Sequence, residues 1–415
     1  MSTIVAVHAR RIIDQRGNPM VETEVELASG AIGRAAVPIG SSGVAEEQQR
    51  TIYSEKAVTN VETIIAPFLI GVDALDQISI DRMILGLDAT NEKTNLGLDA
   101  ILSVSLAVAR AAADFLYLPL YRYIGGVNAK LMPVPLMTIL KGGRLADNNC
   151  DFLRFSIMPL GAASWSEALR ICSEVSHYLH SLLKKKECLL TLDGDDLIGT
   201  HDISNEQALS FIVQSIERAG HRPGLDVALA IDVCSDDLFD EETGLYHLAG
   251  MNRLFTSSEL IDYYNDLVRR YPIAAIEGCL AEDDLEGWQH LTARLGEKVQ
   301  LINSFNGVQG LRERILMKSA NAVLVELDKL GRLTDALDCI ELAKSAGWSV
   351  IVSYLRGETE NTAIPDIAVG ANGGQIKIDA PSDMYGETEY GQMLMIEEDL
   401  DSAACYKGRE VLHNN

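Results

Sequence analysis

Basic residues are scarce in this sequence relative to acidic ones. Its 415 residues include 35 lysines and arginines against 60 aspartates and glutamates, which gives a formal net charge of −25 at pH 7. A surface of that charge repels phosphate backbones and anionic lipid headgroups. We therefore expect neither a nucleic acid nor a membrane as partner. A small anionic substrate stays compatible with the sequence, because the local potential in a cleft can oppose the global charge.

The sequence also lacks closely spaced cysteines and long unbroken apolar runs. Its seven cysteines are scattered without a CxxC motif, which is typical of reduced thiols in a cytosolic protein. The opening STIVAVHARR has no apolar core of the kind found in signal peptides. The segment from Ala100 to Tyr121 is interrupted by Arg110 and Asp114, so it predicts a buried helix and no membrane span. A cytoplasmic location is the expectation.

Hydrophobic residues are abundant enough for a large core. They make up 47% of the chain and charged residues 23%, which predicts a folded chain of two domains. In the stretch MVETEVEL, Val21, Val25 and Leu27 alternate with glutamates, a pattern typical of a sheet with one wet side. Residues 60–125 then have mostly helical spacing.

Short apolar runs recur through the rest of the chain, and stretches with helical spacing separate most of them. The runs are VPLMTIL, LRFSIMP, VALAIDV, IAAIEGCL, VQLINS, AVLVEL, SVIVSY and GQIKID. Alternating strands and helices indicate a parallel sheet, and eight runs favour a closed β/α barrel. The first two runs follow each other without a helix between them, which a regular eightfold repeat would not do.

Charged and polar residues stand within or at the ends of these predicted strands. They are Arg154, Asp232, Glu277, Ser304, Glu326, Tyr354 and Lys377. The chemistry of a β/α barrel takes place at the carboxyl ends of its strands. Buried carboxylates on nearby strands repel each other unless a cation compensates them, and oxygen ligands of this kind suit Mg²⁺. The alternative is that some of these side chains point into loops and solvent.

Several motifs resemble those of the enolase family. The matching stretches are ARRIIDQRGNPMVETEVEL, LGLDAILSVSLAVARAAA, GGRLADNN, IMPLGAASWSEALR, YPIAAIEGCL, RGETENTAIPDIAVG and GQIK, and the resemblance covers essentially the whole chain. It implies an α/β barrel of the enolase type, ββαα(βα)6, over residues 127–415, after an N-terminal α+β domain over residues 1–126. It also implies a homodimer, and it accounts for the two opening runs without a helix.

The resemblance further implies a reaction. Enolases interconvert 2-phosphoglycerate and phosphoenolpyruvate: a lysine removes a proton, two Mg²⁺ ions stabilise the charged intermediate, and glutamates on the other face assist loss of hydroxide. The position of the catalytic lysine is taken by Glu326, a far weaker base than a neutral lysine. One assisting glutamate falls at Arg154, and the other falls at Asp195 or, with a one-residue slip, at Asp196.

The substrate-binding positions implied by the resemblance are altered as well. The substrate-contacting histidine of the family falls at Leu145, and the phosphate-gripping arginine falls at Leu355. Arg356, one residue later, is a candidate partial substitute. Lys377 matches the other lysine of the family site and is retained.

The metal positions implied by the resemblance are only partly retained. Asp232 and Glu277 match two of the three carboxylates at the principal metal site of the family, and Ser304 replaces the third. Ser42 aligns with the serine of the mobile loop that reaches the second ion. Because losing a charged ligand weakens Mg²⁺ binding, we expect the metal to be weakly bound or lost.

Together these replacements affect the catalytic base, an assisting acid, the phosphate-binding arginine, the metal ligands and the mobile loop that covers the site. Catalytic groups that act together lose most of the activity when one of them is lost. The sequence therefore predicts an enolase-like protein of the glycolytic family that has little or no dehydratase activity. Such a protein would act by binding or assembly, as a homodimer or with an enolase subunit. The alternatives are an altered lyase acting on another small acid and a weakly active phosphopyruvate hydratase.

Arg154 and Glu326 exchange the signs of charge that the family has at these two positions. Two long side chains from opposite sides of a barrel mouth can meet, and each charge then eases the desolvation of the other. We therefore expect a buried ion pair between Arg154 and Glu326 that plugs the former active site. The alternative is two exposed charges that never meet.

Overall fold

The first part of the chain forms a small antiparallel sheet. A computed structural model describes residues 1–14, 17–39, 47–88, 90, 95–143, 150–191, 198–200, 203–305, 307–353, 363–380 and 387–412. The sheet consists of β1 (Ile4–Ile13), β2 (Pro19–Leu27) and β3 (Ile32–Pro38), in that order. Val21, Val25 and Leu27 are buried on one face, whereas Glu26 on the other face is exposed. The predicted alternation in β2 is confirmed.

Helices follow the sheet and cover its buried face. They are α1 (Glu47–Asn60), α2 (Ala66–Leu69), α3 (Gln77–Asp88), α4 (Leu98–Phe115) and α5 (Leu120–Gly125). The predicted buried helix is α4, and most of its side chains have no contact with solvent. Among the described residues no single helix is long and apolar enough to span a membrane; one bent pair, Leu98–Phe115 with Leu120–Asn128 at 92°, meets the length and composition criteria together.

This sheet approaches α4 closely at Gly33. A Cβ atom built on Gly33 would lie 2.1 Å from the carbonyl oxygen of Ala107 and 2.2 Å from the amide nitrogen of Ala111. Both are backbone atoms of the helix, so a side chain at this position would force the helix away from the sheet. Nearby, the buried hydroxyl groups of Thr23 and Ser103 form a hydrogen bond of 2.8 Å between sheet and helix.

The second part of the chain is built around a closed barrel. The remaining strands are β4 (Leu131–Met132), β5 (Val134–Lys141), β6 (Arg154–Met158), β7 (Leu189–Thr191), β8 (Ile198–Thr200), β9 (Ala228–Asp232), β10 (Phe239–Asp240), β11 (Leu245–Leu248), β12 (Arg253–Phe255), β13 (Ile273–Glu277), β14 (Gln300–Ser304), β15 (Ala322–Glu326), β16 (Ser349–Ser353), β17 (Gly374–Asp379) and β18 (Cys405–Tyr406). Eight strands close the barrel in the order β5, β6, β9, β13, β14, β15, β16, β17. β6 is antiparallel to β5 and β9, and the other neighbours pair in parallel. The predicted barrel is confirmed, and its two opening strands, β5 and β6, are adjacent and antiparallel.

Helices surround the barrel. They are α6 (Trp165–Lys185), α7 (Asn205–Arg218), α8 (Ser257–Arg270), α9 (Leu285–Leu295), α10 (Gly307–Met317), α11 (Leu327–Leu330), α12 (Leu333–Ser345), α13 (Ile364–Gly370) and α14 (Glu387–Leu400). The start of α7 is fixed by Ser204, whose hydroxyl group accepts a hydrogen bond from the amide of Gln207 while the Gln207 side chain caps Ser204 in return. Thr256 and Glu259 form the same capping box at α8.

The alternation of side chains along each barrel strand decides which residues face the interior. Ala230 and Leu324 belong to an apolar cluster that the strands share inside the barrel, whereas Val325 packs in the core between strands and helices. Successive residues of a strand point to opposite faces. Asp232 and Glu326 are two residues beyond Ala230 and Leu324, so both continue the inward series at the mouth.

Replacing Gly33 by alanine is expected to lower the free energy of unfolding by about 1–3 kcal/mol, because the added methyl group clashes with the backbone of α4. Denaturant unfolding followed by circular dichroism measures the change. Gly86 in α3 is the matched control, since no atom lies within 4 Å of a Cβ built there. Gly86→Ala is expected to leave stability unchanged or to raise it by up to about 1 kcal/mol. Equal effects at both positions would contradict this account.

Candidate active site

Four charged side chains meet at the carboxyl-terminal mouth of the barrel. Lys377 Nζ lies 2.6 Å and 2.7 Å from the two carboxylate oxygens of Glu277 and 3.0 Å from Asp232 Oδ2. Arg154 Nη1 donates to the same Asp232 oxygen at 2.9 Å. The side chains of Lys377, Asp232 and Arg154 are each less than 10% exposed and that of Glu277 is 14% exposed. We call these four residues the mouth tetrad.

The strand register brings three members of the mouth tetrad to one level. Arg154 is paired with Asp232 across β6 and β9, and Asp232 is paired with Glu277 across β9 and β13. Lys377 comes from β17, which stands directly opposite β13 in the closed order of eight strands. Its long side chain therefore crosses the mouth of the barrel to reach Glu277.

Opposite charges stabilise the ionised forms of Asp232 and Lys377 in the mouth tetrad, whereas burial dominates at Glu277. Burial opposes the charge on Asp232, but the neighbouring Lys377 and Arg154 outweigh it and lower the pKa of Asp232. Burial likewise favours a neutral Lys377, but Asp232 and Glu277 outweigh it and raise the pKa of this lysine. For Glu277, burial and then the charge of Asp232 raise the pKa against the opposing effect of Lys377. The lysine is thus protonated at neutral pH and donates hydrogen bonds to both acids.

A second pair of charges lies at the end of β15. Glu326, at the position that corresponds to the family's base, forms an ion pair of 2.6 Å with Lys329 three residues later. Lys329 Nζ also donates to Ser304 Oγ at 3.1 Å. Burial acts to lower the pKa of Lys329, but the charge and hydrogen bond of Glu326 outweigh it and raise the pKa. Sequence reasoning missed Lys329, because it lies beyond the strand in the short helix α11.

Sequence reasoning also missed a third ion pair, between Lys141 and Asp379. Lys141 Nζ lies 3.6 Å from Asp379 Oδ2, and the lysine side chain is 5% exposed. The register of β5 against β6 shifts between Thr138 and Leu140, and this irregularity pairs Lys141 with Arg154 at the mouth. Three of these charged residues are the last of their strands: Lys141 in β5, Glu277 in β13 and Asp379 in β17. Lys377 lies two residues before the end of β17. A charged residue at the final position of an apolar run was the signal available in the sequence for Lys141.

The predicted ion pair between Arg154 and Glu326 is wrong. Their strands, β6 and β15, stand opposite each other in the closed barrel, and each side chain finds an opposite charge much nearer than the far wall. Arg154 pairs with Asp232 on the adjacent strand, and Glu326 pairs with Lys329 within one helical turn. The pair that does cross the mouth is Lys377 with Glu277.

Other predicted site positions lie outside the described residues. They are Ser42, Leu145, Asp195, Asp196, Tyr354, Leu355 and Arg356. The roles that the sequence suggests for them in metal binding, acid catalysis and phosphate binding stay predictions. Of the predicted residues that the structure does describe, Arg154, Asp232, Glu277 and Lys377 come together in the mouth tetrad, whereas Glu326 and Ser304 gather around Lys329.

Comparison with protein families settles the ancestry of this arrangement. Residues 4–124 match the model of the enolase N-terminal domain, and residues 129–415 match that of the enolase C-terminal TIM barrel domain. The chain belongs to the enolase family. Together the two matches span almost its whole length, in agreement with the resemblance read from its motifs. The boundary between domains at residues 126 and 127 stays a prediction.

The enolase family uses Mg²⁺, and three of the four carboxylate oxygens of Asp232 and Glu277 already contact cationic side chains. Mg²⁺ needs near-octahedral coordination by free oxygen ligands. Asp232 Oδ2 accepts hydrogen bonds from Lys377 and Arg154, both oxygens of Glu277 accept from Lys377, and the Ser304 hydroxyl group accepts one from Lys329. Within the described ranges no group of three or more His, Cys, Asp or Glu side chains is placed to hold a metal ion.

Arg154→Leu is expected to lower the free energy of unfolding by about 3 kcal/mol, the lower end of the range for breaking a buried ion pair, because Lys377 still contacts Asp232. Combined with Asp232→Asn in a double-mutant cycle, it should show a coupling energy above about 1 kcal/mol. Denaturant unfolding of the single and double variants gives this value.

The matched control is the cycle of Arg154→Leu with Glu326→Leu. Because these two residues have different partners, their effects are expected to add within about 0.5 kcal/mol. Equal coupling in the two cycles would contradict the pairing described above.

Proposed function

We propose that this member of the enolase family does not carry out the dehydration of 2-phosphoglycerate and acts through binding or assembly. The observation that carries the proposal is the mouth tetrad, in which Lys377 and Arg154 neutralise Asp232 and Glu277. In the family reaction these two acids hold the metal that stabilises the developing charge of the substrate. Here their oxygens are engaged by side chains of the same chain.

The residue at the family's base position supports the same proposal. Glu326 is an acid held by Lys329. A carboxylate is a weak base towards a carbon-bound proton, and its charge opposes the negative charge that develops on the substrate. Arg154 takes the place of an assisting acid, and its guanidinium group has no proton to give at neutral pH.

Weak or absent Mg²⁺ binding is part of the proposal. Two carboxylates and one hydroxyl group replace three carboxylates, and each of them already interacts with a cationic side chain. A divalent ion would have to displace Lys377 and then bear the repulsion of the buried Arg154. The loss of one charged ligand and the presence of two cations act in the same direction.

One observation favours the alternative of an altered lyase. Lys329 returns an ammonium group to the end of β15, three residues after the lost lysine, and it contacts both Glu326 and Ser304. A lysine acts as a base only in its neutral form. Because Glu326 raises the pKa of Lys329, the proton stays on the lysine near neutral pH. We therefore place this alternative second.

The wild-type protein is expected to form no phosphoenolpyruvate above background, even at high Mg²⁺. Glu326→Lys is expected to restore no turnover, because the new lysine faces Lys329 and the mouth tetrad is unchanged. A coupled phosphoenolpyruvate assay on the purified full chain measures both, with a catalytically competent enolase as positive control and Glu326→Gln as matched variant. Substantial turnover by the wild type would overturn the proposed function, and turnover by Glu326→Lys alone would show that the remaining site is intact.

The proposed assembly is either a homodimer or a complex with an enolase subunit. It is supported by the dimer that the family resemblance implies. Light scattering during size-exclusion chromatography is expected to give twice the mass of one chain, or a mixed dimer when a catalytic enolase is added. A single-chain mass under both conditions would contradict assembly through the family surface.

A further inference from the structure

We propose that the end of the barrel opposite the mouth contains an internal water site formed by the side-chain amides of Gln300 and Gln375. The ligand is ordered water, held by hydrogen bonds to these amides. We call the two residues the amide pair. The inference does not depend on the proposed function, because it concerns polar groups at the other end of the barrel from the charged residues of the mouth.

Both glutamines point into the barrel near the amino-terminal ends of their strands. Gln300 opens β14 and stands two residues before Ile302, which belongs to the apolar cluster inside the barrel. Gln375 is the second residue of β17 and stands two residues before Lys377, which reaches into the mouth. Because successive residues of a strand alternate between its two faces, each glutamine lies on the same inward face as the residue two positions later.

The amide pair has polar atoms that no described protein group satisfies. Both side chains are fully buried, with 0% exposure. Among the residues that the structure describes, Gln300 Nε2, Gln300 Oε1 and Gln375 Oε1 have no hydrogen-bond partner in the protein. Leaving a buried amide without hydrogen bonds costs stability, and buried polar groups without a protein partner are normally satisfied by ordered water.

The neighbours of the amide pair explain why no protein partner is within reach. Ala275 pairs with Gln300 across β13 and β14, and Ile351 and Val134 flank Gln375 on β16 and β5. All three neighbours belong to the apolar cluster inside the barrel, so their side chains offer no hydrogen bonds. Alanine also fills little of the space beside Gln300. Water enters a buried space when polar groups line it, whereas purely apolar cavities stay dry.

The C-terminal segment covers this end of the barrel. Leu412 belongs to the apolar cluster inside the barrel. The carbonyl oxygen of Val411 accepts hydrogen bonds from Ser349 Oγ at 3.1 Å and from Gln375 Nε2 at 3.4 Å. The nitrogen of one amide is thus tied to the covering segment, while its oxygen is left for water. Water held behind this segment exchanges slowly with the solvent, which makes it measurable.

Oxygen-17 magnetic relaxation dispersion of the solvent, measured on the purified full chain, detects internal water molecules with long residence times. Gln300→Met keeps the length of the side chain but removes both polar atoms. We expect the amplitude of the dispersion to fall by the equivalent of about one water molecule relative to the wild type. The matched control is Gln214→Met on α7, an exposed glutamine that donates to Ser210 within the same helix. It should leave the amplitude unchanged.

Thermal unfolding supplies a second readout. Gln300→Met removes the hydrogen bonds between this amide and the water and leaves Gln375 Oε1 with a weakened partner, so the midpoint is expected to fall by at least about 2 °C. An amide without any partner would behave in the opposite way, because an apolar replacement would raise the midpoint. Adding Gln375→Met should cost less than the sum of the two single changes, since the water site is then removed as a whole.

Three results would overturn the inference. They are an unchanged dispersion amplitude in folded Gln300→Met, a raised unfolding midpoint for that variant, and an equal fall of the amplitude in Gln214→Met. If Gln300→Met does not fold, Gln375→Met replaces it in the relaxation measurement. The same fall is expected there, and an unchanged amplitude in that variant would count against the water site.

Discussion

Two carboxylates that face one buried space from adjacent strands constrain everything else at the mouth of this barrel. Asp232 and Glu277 are paired in register on β9 and β13, and the inward alternation of each strand leaves their side chains only 8% and 14% exposed. Burying one such charge without compensation is costly, and burying two side by side is more so. Positive charge must therefore come from a metal or from the chain, and in this structure the chain supplies it.

The two compensating cations reach the acids by different routes, and both routes depend on the barrel. Arg154 comes from the neighbouring strand β6, whose antiparallel register places it opposite Asp232. Lys377 comes from the far wall, and its long side chain reaches across the mouth to Glu277. The remaining charges pair locally: Lys329 with Glu326 within one turn, and Lys141 with Asp379 between β5 and β17.

The sequence predicted the fold and the membership of the site better than it predicted the pairing. Continuous apolar runs marked all eight barrel strands, and residues at their ends indicated where charge would gather, because inward alternation is a property of each strand alone. Pairing depends on distances between strands, which no single run encodes, and the exchanged signs of charge alone favour the wrong partner, Glu326, for Arg154. Lys329 lies past its strand, and Lys141 turns inward through an irregular register with β6. Neither follows from simple alternation.

Charge balance at the mouth explains how the family fold persists where its chemistry is proposed to be lost. The chain carries a net charge of −25, yet among the described side chains at the strand ends four basic residues, Lys141, Arg154, Lys329 and Lys377, face four acids, Asp232, Glu277, Glu326 and Asp379. In such a balanced cluster neither a divalent cation nor a multiply charged anion gains a favourable contact without breaking an existing one. The barrel needs only that the buried acids be neutralised, whereas the reaction needs them to be free for a metal. Side-chain cations satisfy the first requirement and oppose the second, so under the proposed function folding and dehydratase chemistry separate at these residues.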